Sequence, residues 1–310
     1  MIITRWQPWF TKQYGGAFPV DRFHYDVESS GFSRKDDVIV EWGHCMVRDG
    51  KVVDRNNIVI NWYKCPEAIP PSRLTNQLER IRREMRNQGR SWRLTEEVLR
   101  DEGVHPDKAI PWIYELLTEV QQQGMMLVSH NGWNFDNPML VEHFRQDLNK
   151  EFAFNPNQIF DTGCIEKASQ LMSEHPERAL PKEGETLLDY FKRISGWRAS
   201  GVYSNLDTHC LKKYKLVEKY GLDPTKMHTA GEDAYALHCL MEEFKVLCEA
   251  CKTPPAAAPV AAAAPIGLPP RPAKAVVRPQ TPIVVASDAA VRAVASSQPA
   301  APIRRKQRNR

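Results

Sequence analysis

Polar and apolar positions alternate through residues 21–29, DRFHYDVES, and a period of two predicts a short strand. The run DDVIVEWGHCMVRDGKVVDRNNIVINWY carries two more such segments on either side of Asp49-Gly50, which predicts a hairpin turning on that pair. The pattern then changes. SRLTNQLERIRREMRNQGRSWRLTEEVLRDEG is a polar helical stretch crowded with arginine, and AIPWIYELLTEVQQQ reads as an amphipathic helix. MMLVSH is a short buried strand, NPMLVEHFRQDL a helix, and QIFDTGCIEKASQLM a strand end passing into a helix. Ser173 to Asn205 shows no sustained period. Two helices follow, DTHCLKKYKLVEKYG and a last one from Glu232 with Ala234, Leu237, Leu240, Met241, Phe244 and Leu247 on one stripe. Three early antiparallel strands followed by alternating helix and strand predict an α/β fold, a mixed sheet with helices on its faces.

Charge divides the chain. The net +4 over 310 residues conceals +8 on residues 253–310, which leaves −4 on residues 1–252. The basic segment is rich in Pro and Ala, has no aromatic residue, and ends in IRRKQRNR. Such a composition cannot bury enough surface to offset its ordering entropy, so it reads as a disordered tail whose basic end suits a phosphate backbone or an acidic partner surface. The folded body is expected over residues 21–252, behind an N-terminal extension of residues 1–20. No apolar run is long enough for a signal peptide or a membrane span. Seven scattered cysteines are those of a reduced, cytoplasmic protein, and Cys248 and Cys251 form a CxxC without a second pair, expected on the inner side of the last helix.

Three acidic placements carry chemistry. Asp26 and Glu28 are two apart on the first predicted strand, so both point to one face while Phe23, Tyr25 and Val27 take the other. Either that face is solvated, or a divalent cation such as Mg²⁺ or Mn²⁺ relieves the repulsion. Asp136, with Pro138 behind it, has the form of a helix N-cap, and it follows a buried strand, where open α/β sheets place ligands. Asp233 falls on the apolar stripe of the last helix, five residues after His228. A carboxylate aimed at a core costs several kcal/mol unless something positive meets it.

In that order, these fragments resemble the DEDDh family of 3′–5′ exonucleases. That branch of the ribonuclease H-like superfamily includes ribonuclease T and proofreading subunits of bacterial replicative polymerases. The family's three motifs are matched by FHYDVESSG, LVSHNGWNFDNPML and HTAGEDAYAL. LTEEVLRDEGVHPDKAIPWIYELL resembles its lead-in helix pair, and FDTGCIEKA its Asp-Thr strand end. The likeness spans about residues 20–250. HNGWNFD is one residue longer than the spacing common in relatives. The resemblance implies a ribonuclease H-like mixed five-stranded sheet flanked by helices. It also implies that Asp26, Glu28, Asp136 and Asp233 bind two divalent ions, Mg²⁺ or Mn²⁺, which clamp the attacking and leaving oxygens of a phosphodiester. His228 is then the general base, a role its ordinary pKa of about 6.5 suits.

Substrate contacts are expected in two insertions. Seven arginines (Arg73, Arg80, Arg82, Arg83, Arg86, Arg90, Arg93) accompany Trp92. Farther on, Phe191, Trp197 and Tyr203 are interleaved with Lys192, Arg193, Arg198, Lys212 and Lys213. Cations beside aromatic faces track single strands, and the same pattern is also that of a solvated helix face with a few buried rings. Phe32 is placed as a wedge or a core residue, and Asn131 as a contact to the terminal nucleotide. The expected activity is exonucleolytic hydrolysis from the 3′ end of single-stranded DNA or RNA, DNA favoured. The alternatives are an RNA 3′-end-trimming ribonuclease, a proofreading subunit tethered to a DNA polymerase through the tail, and a binding module without catalysis.

Overall fold

The computed structural model describes residues 2–16, 18–197 and 205–251. A 3-10 turn (Ile3–Trp6) and α1 (Gln7–Tyr14) precede β1 (Arg22–Ser29), β2 (Ile39–Arg48) and β3 (Lys51–Val59). Then come α2 (Pro71–Asn87), α3 (Glu96–Glu102), α4 (Pro106–Gln122), β4 (Met126–Ser129), α5 (Asp136–Asp147), β5 (Ile159–Asp161) and α6 (Thr162–Leu171). Four short helices, α7 (Pro176–Ala179), α8 (Leu187–Gly196), α9 (Leu211–Lys213) and α10 (Leu216–Tyr220), lead to the long α11 (Ala230–Ala250).

The five strands lie in the order β3-β2-β1-β4-β5. β1, β2 and β3 are antiparallel neighbours, and β4 and β5 join parallel on the other side of β1. This is the mixed, helix-flanked α/β sheet expected. The hairpin turns where the Asp-Gly pair predicts, with φ of 49° at Asp49 and 75° at Gly50, the positive values a tight two-residue turn demands. Both faces of β1 are covered. Phe23, Tyr25 and Val27 pack with Trp42 against Leu74, Ile110, Leu117 and Phe144. The opposite layer joins Val128 and Phe160 to Leu237, Leu240 and Phe244 of α11.

The segment ahead of β1 is part of that second layer. Ile2, Ile3 and Phe10 are wholly buried, and the Trp6 ring lies 5.0 Å from that of Tyr190. α8 occupies a stretch in which no period is evident, because one heptad is too short to declare itself. Its Leu187, Tyr190, Phe191 and Ile194 nonetheless form one buried stripe, and Thr186 Oγ1 caps its start on the Asp189 N–H (3.1 Å). DTHCLKKYKLVEKYG is not one helix. Leu211, Tyr214 and Leu216 are all buried, a spacing no regular helix turns to one side, and left-handed Lys215 (φ 53°) rotates Leu216 inward. No disulfide joins any of the seven cysteines; Cys248 is buried as expected, but Cys251 is exposed at the end of α11. Arg198, Tyr203 and the basic tail of residues 253–310 lie outside the described residues.

Candidate active site

The C-terminal half of β1 presents Asp26 and Glu28 to the start of α11. Glu28 pairs in register with Glu41 of β2, and Asp26 with Gly43. Gly43 leaves room for α11 to cross the sheet. A Cβ there would stand 2.0 Å from the Ala230 carbonyl carbon and 2.1 Å from the Gly231 nitrogen. The first N–H groups of α11 need acceptors, and β2 and β3 provide them. Ala230 N–H donates to Glu41 Oε2 (2.9 Å), and Gly231 N–H to Asn57 Oδ1 (2.7 Å). Glu41, fully buried, also accepts from Asn57 Nδ2 and the Arg93 guanidinium. Replacing Gly43 by alanine must therefore displace α11. The expected cost is about 1–3 kcal/mol or more, read as a lowered denaturation midpoint, together with displacement of the α11 carboxylate Asp233.

That carboxylate meets His228. The His228 N–H donates to Asp233 Oδ2 (3.2 Å), and His228 sits at φ 68°, a left-handed conformation that a non-glycine residue adopts only when held. Its Nε2 lies 3.3 Å from Asp207 Oδ2, which also receives Arg90 at 3.0 Å. Burial works against the Asp207 carboxylate, but the hydrogen bond from His228 and the charge of Arg90 keep it below its ordinary range. Sequence reasoning missed Asp207 because it opens DTHCLKKYKLVEKYG, a segment expected to be a helix, where it reads as an ordinary first-turn acid. Glu41 was missed as well, although a glutamate between Val40 and Trp42 in an apolar strand was a signal.

Asp136 arrives from the far side of the sheet. It is the first residue of α5 rather than its cap, which is Phe135, and no side chain caps the helix. Its Oδ1 instead accepts the Val27 N–H (3.1 Å), which ties it to β1 between Asp26 and Glu28. The preceding turn is held by Asp161 at the end of β5. That carboxylate accepts N–H groups of Asn131 (3.0 Å), Trp133 (3.2 Å) and Cys164 (3.0 Å), and Asn131 stands at φ 60°.

Four carboxylates thus converge; His228 eases Asp233, whereas Asp26 and Glu28 meet burial and like charges. Burial and then the charge of Asp136 push Asp26 well above the carboxylate range, and burial and then Asp233 do the same to Glu28. Burial raises Asp136 and Asp233 to about 7 each. Donor atoms of Glu28, His228 and Asp233 lie within 4.8 Å of one another. Hard oxygen donors, buried and mutually repelling, fit a dication, and Asp26, Glu28, Asp136 and Asp233 are the residues that would hold it.

A cleft of about 670 Å³ opens beside the cluster, lined by Arg90, Asn131, Phe135, Lys167, Asp207 and His228 among others. Phe32, 82% exposed, sets its ring edge-on to Phe135 at 5.9 Å near that mouth and is not core. Trp197 lines the cleft, but Phe191 and Trp92 are buried in the core. Arg193 is spent within the protein, on Glu185 and on the carbonyls of Arg178 and Leu180. Arg82 pairs with Glu79 at 3.4 Å, while Arg86 and Lys212 are exposed on α2 and α9. None of these four lines the cleft.

No protein-family model matches this sequence, and no curated protein matches it. Among solved structures, the chain is similar to a zinc-bound complex of E. coli exonuclease I with single-stranded DNA. Identity there is 13% and the TM-score 0.48, over 73% of this chain and 40% of that one. Similar too is E. coli exonuclease I with a dA16 oligonucleotide, at 14% identity and a TM-score of 0.46, over 74% and 42% of the respective chains. Its complex with a dT13 oligonucleotide gives 14% and 0.46 over 73% and 41%. The chain spans about two-fifths of the length of those proteins.

Proposed function

We propose that the chain is a metal-dependent 3′–5′ exonuclease of the DEDDh type that hydrolyses phosphodiester bonds at free 3′ ends of single strands, DNA before RNA. The observation that carries this reading is the convergence of Asp26, Glu28, Asp136 and Asp233 from β1, α5 and α11 beside His228 at the edge of a cleft. Bound Mg²⁺ or Mn²⁺ would supply positive charge for the oxygens of the scissile phosphate. The chain's own groups do the rest. His228, oriented by Asp207, takes the proton of the attacking water. Arg90 and Lys167 bring positive charge to a cleft whose neighbouring cluster is acidic. Phe32 and Asn131 meet the terminal nucleotide, and the exposed arginines of α2 follow the backbone away from it.

The experiment is degradation of labelled single-stranded DNA and RNA oligomers, each blocked at one end or the other, with Mg²⁺, Mn²⁺ or a chelator. Metal-dependent shortening from a free 3′ end is expected, faster on DNA. Cleavage that ignores the 3′ block, or none at all by folded, metal-supplied protein, removes the proposal.

A further inference from the structure

We propose that Cys65, His105 and Asp107 form a second metal site, for a thiophilic transition-metal ion with Zn²⁺ preferred, sharing no residue with the acidic cluster. The chain brings these donors together through one bridge beyond the sheet edge. After β3, Ile60 lies parallel to Val104. Val104 N–H reaches the Val59 carbonyl (2.8 Å), and Asn61 N–H the Val104 carbonyl (2.8 Å). The turn at Trp62–Lys64 then folds back, closed by the Cys65 N–H on the Trp62 carbonyl (2.9 Å). His105 follows Val104 directly and starts α4, with Pro106 in the first turn. A cysteine leaving one strand therefore faces a histidine and an aspartate entering a helix.

The spacing is that of a ligand set slightly open. Cys65 Sγ lies 4.0 Å from His105 Nδ1, and Nδ1 lies 3.7 Å from Asp107 Oδ1. One donor atom from each of the three lies within 4.8 Å of the others. Bond lengths of about 2.0–2.3 Å in a tetrahedral zinc site set such donors roughly 3.4–3.6 Å apart, so closure needs a few tenths of an ångström. The imidazole is in the right tautomer. Nδ1 accepts the Asp107 N–H at a long 3.2 Å, which puts the ring proton on Nε2, and the ion would take the Nδ1 lone pair over from that N–H.

A thiol–imidazole contact at a helix start would account for Cys65 and His105 alone. It does not account for Asp107, whose Oδ1 is buried without a hydrogen-bond partner. An orphaned buried acceptor is costly, and a cation relieves it. Thiolate and imidazole donors select zinc over magnesium, whereas the all-carboxylate cluster on β1 and α11 has the opposite taste. On binding, the Cys65 S–H bond breaks, a metal–sulfur bond forms and the proton passes to solvent. Thiolate and carboxylate then neutralise the dication. His105 keeps 35% of its side chain exposed, so a fourth position faces water. The ion would pin the turn after β3 to α4, whose Ile110, Ile113 and Leu117 pack beneath β1.

The test is a Co²⁺ titration of the chelator-stripped full chain, read by the thiolate-to-cobalt charge-transfer absorption that an oxygen-and-imidazole site cannot produce. The band is expected to saturate at one ion per chain, to be bleached by Zn²⁺ and to be indifferent to Mg²⁺. Cys65→Ser should abolish it, with the fold checked by circular dichroism. Asp107→Asn, which keeps the side chain's size, should weaken Co²⁺ binding on the order of tenfold or more. A folded protein that shows no such band, or a band that survives Cys65→Ser, overturns the site.

Discussion

Asp136→Asn is expected to lower the rate of 3′-end hydrolysis on the order of 10³-fold, about 4 kcal/mol of transition-state stabilisation, while the protein stays folded. The two halves of that expectation rest on different atoms of one side chain. Asp136 Oδ1 accepts the Val27 N–H at 3.1 Å, and an asparagine oxygen can do the same, so the anchor to β1 survives. What the amide removes is a negative charge that burial already holds at a pKa of about 7. In the metal-free protein that charge is a liability, so the variant should melt no lower than the parent in chelator. With metal and substrate it is needed, and its loss should fall on kcat. A variant within tenfold of the parent's kcat would reduce Asp136 to an anchor. A variant that unfolds would mean that the Val27 contact, not the charge, is what the residue supplies.

The contrast also shows why Asp136 was the least legible of the acids. Asp26 and Glu28 declare their shared face through a period of two, and Asp233 declares its burial through the stripe of α11. These are local patterns, and the structure places all three where the pattern puts them. Asp136 offers instead the look of an N-cap, with Pro138 following. The helix begins one residue earlier than that reading requires, and the carboxylate turns across to β1. A cap is satisfied within its own turn; this side chain is satisfied by a strand more than a hundred positions away, which no local pattern records.

The same reasoning separates the residues that support the site. Glu41 takes its meaning from its register opposite Glu28 and from the Ala230 N–H it accepts, both long-range facts. Asp161 was visible as a strand end, but not as the acceptor of three N–H groups that shape the turn before α5. Composition misled more than periodicity did. Interleaved rings and cations describe a strand-binding surface and a packed helix equally well. Phe191 and Trp92 fell to the core, Arg193 to internal carbonyls, and Trp197 to the cleft. For Phe191 and Arg193 the outcome depends on the side of α8 each occupies, and one heptad is too little sequence to fix that phase.

Stability should carry the largest pH signature. In chelator, the melting temperature is expected to fall as pH rises from about 4 to about 8, and added Mn²⁺ or Mg²⁺ should restore it at the upper end only. Asp136 and Asp233 have an ordinary value of 3.8 and are raised to about 7 in the fold, chiefly by burial. Between those values the folded protein holds protons that the unfolded chain has released. Their stabilising contribution is therefore complete below pH 3.8 and is lost as pH passes through 7. Asp26 and Glu28, raised in the same direction, add to the slope. Because the four interact, the loss is smaller than the sum of separate groups, on the order of 3–4 kcal/mol, or about 10 °C for a domain of this size. A dication binds the ionised cluster and not the protonated one, and at a hundredfold excess over its Kd it returns about 2.7 kcal/mol. Asp136→Asn should flatten the slope in chelator and blunt the response to metal. An unchanged slope in that variant, or equal stabilisation by metal at pH 5 and pH 8, would place the titrating groups elsewhere and leave the four carboxylates without a cation to explain them.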